Sequence, residues 1–154
     1  MKYLIGDIGN TFTKISIINE NFKIFKLFNF RTKKILQNKR KNFFLTNVIY
    51  NKLDKKVLFS SVVPKAFKII KKSLTKKKFK VFEIKELKVQ KILKIRVKNY
   101  KQLGSDRISN AIGSLKYNNS IVIDFGTATT FDIIKDKIYE GGVISPGINL
   151  SISN

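Results

Sequence analysis

The chain has 154 residues, of which 43% are hydrophobic and 13 are Phe, so it can bury a core of ordinary domain size. It contains no Cys and no His, which excludes disulfide frameworks, zinc sites and imidazole bases and leaves carboxylates as the natural proton acceptors. Residues 1–8 are too short, and too soon interrupted by Asp7, to form a signal peptide or a membrane span. A cytoplasmic protein is therefore expected.

The net charge of +22 is unevenly distributed along the chain. Residues 1–103 carry 28 of the 32 Lys and Arg residues, whereas residues 104–154 are nearly neutral. Most of these cations are Lys, and Arg, the preferred reader of bases and phosphates, is scarce. We interpret the charge as a solvated surface that binds polyanions non-specifically at low salt, with a dedicated nucleic-acid face as the alternative.

The first half of the chain alternates between strand and turn patterns. Strands are predicted at residues 2–6, 12–18 and 22–28, with Gly9–Asn10 as the first hairpin turn. Residues 31–42 are basic and ambiguous, with a helix as one option. Residues 56–63 predict a buried strand, and Pro64 suits the first turn of a helix that runs to about Leu74.

The second half mixes further strands with one amphipathic helix. Strands are predicted at residues 79–84, 92–97, 120–125, 129–134 and 137–144. Residues 104–117 place Ile108, Ala111, Ile112 and Leu115 at helical spacing. Because strands and helices alternate and no Pro/Gly/Ser-rich linker divides them, the chain is predicted to be an α/β protein.

An internal repeat is the most informative feature of the sequence. LIGDIGNTFTKISII at residues 4–18 is echoed by VIDFGTATTFDII at residues 122–134. Aligned on Asp7 and Asp124, both copies follow an apolar strand, both give Asp-x-Gly, and Thr13 falls on Thr130. The copies are too far apart for a short-period solenoid, so they predict two similar lobes that each give one loop to a shared cleft.

Each copy has the composition of a phosphate-binding loop. A Gly at the turn lets the backbone approach a ligand and present its N–H groups. A carboxylate at the strand end can hold a cation that offsets phosphate charge. The hydrogen-bonding side chains beside the turns are those of Thr11, Thr13, Lys14, Thr127, Thr129 and Thr130. Ordinary hairpin turns are the alternative, but two matched copies favour phosphate loops.

The amphipathic helix opens with Gly104-Ser105-Asp106-Arg107. An acid in the first turn of a helix is commonly a cap, and Arg107 could simply pair with it. Alternatively, Asp106 is a base in the cleft, and Arg107 and the helix N-terminus steady an anionic substrate. The residues alone leave both readings open, and they favour a structural role for Asp132 and Glu140.

Four motifs together resemble one family. DIGNT at 7–11, GSDR at 104–107, DFGTATTFD at 124–132 and GGVISPG at 141–147 occur in the order of type III pantothenate kinases. These belong to the superfamily of actin, sugar kinases and heat-shock ATPases. The resemblance implies an α/β, ribonuclease H-like/actin-like ATPase fold with duplicated lobes around a nucleotide cleft. Residues 1–103 would form the first lobe.

Residues 104–154 would supply the substrate-binding helix and the start of the second lobe. Because the family continues well past the Pro-Gly turn, this second lobe is expected to be incomplete. Val97 and Tyr100 stand where the family usually has a Tyr and a Pro before the Gly-x-Asp-Arg box.

The resemblance also implies an activity: ATP-dependent phosphorylation of pantothenate to 4'-phosphopantothenate, the first step of coenzyme A biosynthesis. The implied ATP-binding residues are Asp7, Ile8, Gly9, Asn10, Thr11, Phe12, Thr13, Lys14 and Thr127. Gly104, Ser105, Asp106 and Arg107 would bind pantothenate, with Asp106 accepting the proton of its primary hydroxyl. Asp124 would hold a monovalent cation, K⁺ or NH₄⁺, and Asp7 would contact Mg²⁺.

The family implies a homodimer that takes ATP and pantothenate, with no membrane partner and no specific nucleic acid. Two alternatives stay open. One is a non-catalytic relative that acts as a regulator or binds nucleic acid through its basic first lobe. The other is an acetate- or sugar-kinase-like enzyme that shares only the phosphate loops.

Overall fold

The computed structural model describes residues 1–37 and 53–152, and the chain forms two compact units, Met1–Glu86 and Leu87–Asn154. The part of the ambiguous 31–42 segment that follows residue 37 lies outside the described residues. Within those residues, no helix is long and apolar enough to cross a bilayer.

The first unit is built on a five-stranded sheet in the order β3-β2-β1-β4-β5. Its described elements are β1 (Lys2–Ile8), β2 (Phe12–Asn19), β3 (Ile24–Arg31), α1 (Thr32–Gln37), β4 (Leu53–Ser61), α2 (Pro64–Thr75) and β5 (Lys80–Glu83). The first three strands form an antiparallel meander, whereas β4 runs parallel to both β1 and β5. Parallel neighbours need a crossover, and α2 provides it between β4 and β5.

The core of the first unit lies between this sheet and its helices. Phe59 of β4 and Ile70 of α2 are fully buried, and Ile35 brings α1 into the same cluster. Burying a side chain of this size contributes roughly 1.5–3 kcal/mol. The predicted strands and the helix that begins at Pro64 are confirmed.

The second unit is built on a four-stranded sheet in the order β6-β9-β8-β7. Its elements are β6 (Lys94–Ile95), α3 (Ser105–Ser114), β7 (Ser120–Phe125), β8 (Ala128–Lys135), β9 (Ile138–Pro146) and α4 (Ile148–Ile152), with short 3₁₀ turns before α3. Strands β7, β8 and β9 form an antiparallel meander, and β6 runs parallel to β9. The strand predicted over residues 92–97 is therefore confirmed only at its two central residues.

The repeat in the sequence corresponds to a repeat in the fold, because β1–β2–β3 and β7–β8–β9 are both antiparallel meanders. The two first turns differ by one residue: three residues separate β1 from β2, and two separate β7 from β8. Thr13 is the cross-strand partner of Ile8, and Thr129 is the partner of Phe125. By register the equivalent of Thr13 is therefore Thr129, and the sequence alignment with Thr130 is wrong because the second turn is shorter.

Helix α3 lies on one face of the second sheet and is joined to it by polar as well as apolar side chains. Ile108 and Ala111 are fully buried. The Arg107 Nε–H donates to Asp132 Oδ1 at 2.7 Å, and the Tyr139 hydroxyl donates to the same oxygen at 2.6 Å. Asp132 and Tyr139 are both 0% exposed, so these bonds lie in the interior of the unit.

The opposite face of this sheet is apolar and exposed. On β7 the side chains of Ile121, Ile123 and Phe125 alternate toward this face and are 67%, 47% and 66% exposed. Ile133, the cross-strand partner of Ile121 on β8, is 47% exposed. The strict alternation of β7 thus separates a face toward α3 from a face toward solvent.

Close packing at Gly6 gives the first testable prediction. A Cβ at Gly6 would overlap the buried ring of Phe59 on the neighbouring parallel strand. Gly6→Ala should therefore lower the free energy of unfolding by roughly 1–3 kcal/mol, the usual cost of overpacking a core. Denaturant unfolding followed by circular dichroism measures this change.

Gly113→Ala is the matched control, because a Cβ at this position of α3 would meet no atom within 4 Å. Removing a helical Gly should raise stability by about 0.5–1 kcal/mol. Equal losses of stability in the two variants would contradict the packing argument.

The second prediction concerns the pH dependence of stability. Burial, together with the hydrogen bond to Asp132, raises the pKa of Tyr139 well above its ordinary value near 10. Because the folded chain keeps this proton after the unfolded chain has lost it, stability should be complete below about pH 10 and fall above it. The decline should approach about 1.4 kcal/mol per pH unit from this one group.

Tyr139→Phe should remove that part of the alkaline decline. It should also remove the part of the phenolate absorbance change that appears only far above pH 10. An alkaline titration of both proteins, followed by absorbance and by denaturant unfolding, measures both effects. If stability and absorbance change with pH in the same way in both proteins above pH 10, the raised pKa does not belong to Tyr139.

Candidate functional site

The first predicted phosphate loop connects β1 to β2 and is held from inside by α1. The Thr32 hydroxyl donates to the carbonyl of Gly9 at 2.7 Å, and the Thr32 N–H donates to the carbonyl of Thr11 at 2.9 Å. The Phe12 carbonyl accepts from the Gly9 N–H at 2.9 Å. Three loop carbonyls are therefore hydrogen-bonded to protein donors. Their partially negative oxygens would otherwise repel a phosphate bound at the loop.

Thr13 completes this support from β2. Its hydroxyl lies 3.0 Å from the Thr32 hydroxyl, and both side chains are almost completely buried. Because the Thr32 hydrogen is used on Gly9, Thr13 must be the donor in this pair. Thr32 lies outside the repeat, and sequence reasoning missed it; its position just after β3 gave no signal of this role.

The other predicted residues of this loop divide into two groups. Ile8 is fully buried in the core, and its carbonyl accepts the Val62 N–H at 3.0 Å. The exposed members of the loop are Asp7, Asn10, Thr11, Phe12 and Lys14. Asp7 and Lys14 are cross-strand partners, so a carboxylate and an ammonium share one face of the hairpin. The contact of each residue with ATP stays a prediction.

The N-terminus of α3 presents Asp106 in a defined geometry. Gly104 is the residue before the helix, and a Cβ there would overlap Asp106 Oδ1. That oxygen accepts the backbone N–H of Arg107 at 2.8 Å. Asp106 therefore satisfies a free N–H of the first helical turn, while its side chain remains partly accessible. Asp106 can therefore bind a backbone N–H at the helix start and still be accessible as a base, so the two hypotheses are compatible.

The guanidinium of Arg107 lies against Asp132 with only 12% of the side chain exposed. Its Nη2 atom lies 2.7 Å from Asp132 Oδ1 but without the geometry of a hydrogen bond. Among the described residues, Nη2 and Asp132 Oδ2 are buried atoms with no hydrogen-bond partner. Three groups therefore converge on one carboxylate oxygen, and part of the hydrogen-bonding capacity of the pair remains unfilled.

An irregularity in β9 creates this arrangement. Ile133 pairs with Gly141 and Ile134 pairs with Tyr139, so Glu140 is an extra residue and the strand bulges. Gly141 has φ of +118°, a conformation that side chains with a Cβ rarely adopt. Without the bulge, Tyr139 and Gly142 would point to opposite faces, because they are three residues apart. With it, both lie on the face that carries Asp132.

Gly142 leaves room for the guanidinium. A Cβ at this position would overlap the Phe131 carbonyl and lie 2.7 Å from Arg107 Nη2. The paired glycines of the GGVISPG motif therefore have different tasks. Gly141 permits the backbone bulge, and Gly142 permits the close approach of Arg107.

The turn between β7 and β8 is held by α3 and by the end of β9. The side-chain amide of Asn110 donates to Asp124 Oδ2 at 2.9 Å. A Cβ at Gly147 would overlap the Thr127 carbonyl and lie 2.6 Å from the Gly126 carbonyl. Thr127, the predicted ATP contact of this turn, is exposed. Asn110 is a second residue that sequence reasoning missed, and it lies one helical turn after Arg107 on the same side of α3.

Three of the four motifs thus come together within the second unit. The GSDR helix start contacts β8 and β9 through Arg107, and the DFGT turn contacts α3 through Asp124 and β9 through Gly147. The DIGNT loop lies in the first unit.

Within the described residues, no group of three or more carboxylates could enclose a metal ion. A cation at Asp7 or Asp124 would therefore need main-chain, water or phosphate oxygens as its other ligands.

Comparison with known proteins identifies the family of the chain. The family described as type III pantothenate kinase matches residues 3–154. A type III pantothenate kinase of Pelagibacter ubique is 46% identical over 151 residues, which are 97% of this chain and 60% of that relative. One from Thermosipho melanesiensis is 34% identical over 152 residues, which are 97% of this chain and 61% of the relative. The chain thus spans about three fifths of the length of these relatives.

Solved structures support the fold. A Baf family protein from Campylobacter jejuni superposes with a TM-score of 0.55 at 24% identity, over 96% of this chain and 56% of its own. The Ppx/GppA phosphatase of Aquifex aeolicus superposes with a TM-score of 0.50 at 14% identity, over 99% of this chain and 55% of its own. The fold is of the actin-like ATPase class, as the sequence predicted. The chain, with its four motifs in order and matched from residue 3 onward, belongs to the type III pantothenate kinase family.

Proposed function

We propose that this chain carries the catalytic elements of an ATP-dependent pantothenate kinase. The observation that carries the proposal is the start of α3, where Asp106 is partly accessible and the neighbouring Arg107 is fixed by Asp132. A carboxylate beside a fixed cation, at the positive end of a helix, suits the binding and deprotonation of an anionic alcohol. Family membership supports pantothenate as that alcohol.

In the proposed reaction, Asp106 accepts the proton of the primary hydroxyl of pantothenate as its oxygen attacks the γ-phosphorus of ATP. The bond from this phosphorus to the β,γ-bridging oxygen breaks, and ADP leaves. Catalysis of this kind depends on positioning and on charge neutralisation. Asp106 needs one lone pair for the proton, and in the described structure its Oδ1 holds the Arg107 N–H, which leaves Oδ2 for this task.

The loop of residues 7–14 would bind the ATP phosphates, and its inward-bound carbonyls support this role. Thr127 would contact ATP from the second turn. Mg²⁺, with Asp7 as its protein contact, and a monovalent cation at Asp124 would neutralise phosphate charge when bound. Because the Asn110 amide already binds Asp124 Oδ2, a cation at Asp124 would use Oδ1. A cytoplasmic homodimer belongs to the same proposal.

The direct test is an assay of ATP-dependent phosphorylation of pantothenate by the protein purified from its native gene, with and without K⁺. Turnover that depends on pantothenate and is stimulated by K⁺ is expected. Absence of turnover under both conditions would overturn the proposal. A panel of acetate and sugars would reveal an enzyme that shares only the phosphate loops.

Asp106→Asn is the third prediction. It preserves the size of the side chain but removes the proton acceptor, so kcat should fall by about 10²–10⁴-fold. Asp136→Asn is the matched control, because Asp136 lies in the β8–β9 turn with φ of +50°, which Asn tolerates. The control should keep wild-type turnover. Wild-type kcat in the Asp106→Asn variant would exclude this residue as the base.

Thr32→Val is the fourth prediction and rests on the proposed role of the first loop. Losing the hydroxyl releases the Gly9 carbonyl and leaves the Thr13 hydroxyl without its acceptor. The KM for ATP should rise by roughly 3–10-fold, equivalent to about 0.7–1.4 kcal/mol for loss of the hydrogen bond that holds the Gly9 carbonyl. Thr32→Ser retains the hydroxyl and should stay near the wild type. Identical KM values for ATP in the two variants would contradict the role.

One observation favours a second candidate, a non-catalytic relative that binds nucleic acid. Residues 1–103 hold nearly all of the positive charge, and exposed Phe25 lies under the Lys2 ammonium at 4.3 Å. Lysines beside an exposed aromatic ring suit single-stranded nucleic acid. RNA or DNA affinity that falls steeply with salt, in a protein without ATP turnover, would favour this candidate.

A further inference from the structure

We propose that Asp132 is a positioning residue of the substrate site, which fixes the guanidinium of Arg107 so that it meets the anionic substrate in one orientation. The inference rests on the proposed function, since Arg107 belongs to the expected pantothenate site. It adds Asp132 to the substrate site, although the sequence favoured a structural role for this residue.

The first support is the geometry of the pair. Arg107 Nε and Nη2 both lie 2.7 Å from Asp132 Oδ1, and the Tyr139 hydroxyl lies 2.6 Å from the same oxygen. A long, flexible side chain at the start of a helix is thereby held at its far end. Tyr139 in turn fixes the carboxylate, so the guanidinium has a rigid support on two strands.

The second support is the unfilled hydrogen-bonding capacity. A buried pair with a purely structural role is expected to satisfy its donors and acceptors. Here Arg107 Nη2 and Asp132 Oδ2 have no hydrogen-bond partner among the described residues. The pair therefore retains a donor and an acceptor beyond those that join α3 to the sheet.

The third support is the close approach of the Gly142 backbone to the guanidinium. Gly142 lacks the Cβ that would lie 2.7 Å from Arg107 Nη2, and the bulge at Gly141 places this residue on the Asp132 face. Asp106, the proposed base, directly precedes Arg107 and accepts its backbone N–H at 2.8 Å. The network thus connects Asp106, the proposed base, with Arg107, the cation proposed to bind the anionic substrate.

The fifth prediction uses Asp132→Asn, which keeps the shape and an acceptor oxygen for Tyr139 but removes the charge that holds Arg107. In the full protein, KM and the direct dissociation constant for pantothenate should each rise at least tenfold. The KM for ATP should change less than twofold. Measurements are made below the melting temperature of the variant, with steady-state kinetics and calorimetric titration of pantothenate.

Glu140→Gln is the matched control. Glu140 lies next to Tyr139 and accepts from Arg96 at 2.8 Å, but Arg96 is 67% exposed, so the pair lies at the surface. This variant should keep all kinetic parameters of the wild type. If Asp132→Asn lowers only the melting temperature, or changes the KM for both substrates equally, Asp132 is structural and the proposal is wrong.

A second set of variants separates an effect through Arg107 from a direct one. Arg107→Gln should itself raise the KM for pantothenate. In that background Asp132→Asn should add less than twofold, because the group that it positions is already absent. The double variant also removes both buried charges, so it should fold where Asp132→Asn alone fails to do so. Additive effects of the two substitutions would overturn the inference.

A spectroscopic readout keeps the test independent of turnover. The chain has four Arg residues, so their Nε–H signals are few in a ¹H–¹⁵N spectrum. The Arg107 signal should exchange slowly with water in the wild type and quickly in Asp132→Asn. If the wild type neither binds nor phosphorylates pantothenate, the proposed function fails and this signal alone decides. An unchanged Arg107 signal in Asp132→Asn would then refute the positioning role.

Discussion

The ion pair between Arg107 and Asp132 joins α3 to β8 where Asp132 is fully buried and Arg107 nearly so. Removing two charges from water costs several kcal/mol per ion, and a well-packed apolar pair at such a place is often more stabilising. Stability alone is therefore a poor explanation for the pair. A requirement for one fixed orientation of a cation at the start of α3 explains it better, because an apolar pair cannot provide that orientation.

This ion pair depends on the backbone geometry of β9, the strand next to the one that carries Asp132. The extra residue in β9 places Tyr139 and Gly142 on the same face as Asp132, so that one supports the carboxylate and the other leaves room for the guanidinium. Gly141 makes the bulge possible through its positive φ. The GGVISPG motif therefore contributes to the site through its backbone shape, and its side chains contribute less.

Much of this fold follows from the sequence, because the alternation of residues 12–18 and 120–125 and the helical spacing of Ile108 and Ala111 are strong local signals. The repeat also located both loops. Three features were beyond such reasoning. The shorter second turn moves the register by one residue, the bulge at Gly141 breaks the alternation of β9, and Asp132 reads as an ordinary strand residue until Arg107 is placed beside it. The first two depend on the pairing register of a hairpin, which residue patterns do not encode, and the third depends on a contact between residues 25 positions apart.

The two loops also show why a repeated motif is insufficient as a description of a site. In the first unit Thr32 binds a carbonyl of the loop, and in the second Asn110 binds Asp124 while Gly147 allows close packing against the turn. None of these residues belongs to the repeat. Catalysis by positioning requires that donors and charges stand in place before the substrate arrives, since reorganisation during the reaction would add to the barrier. The repeat therefore defines where phosphates are expected to bind, whereas the residues around it determine how firmly each loop is held. Substitutions at Thr32 or Asn110 should therefore weaken binding without altering any motif.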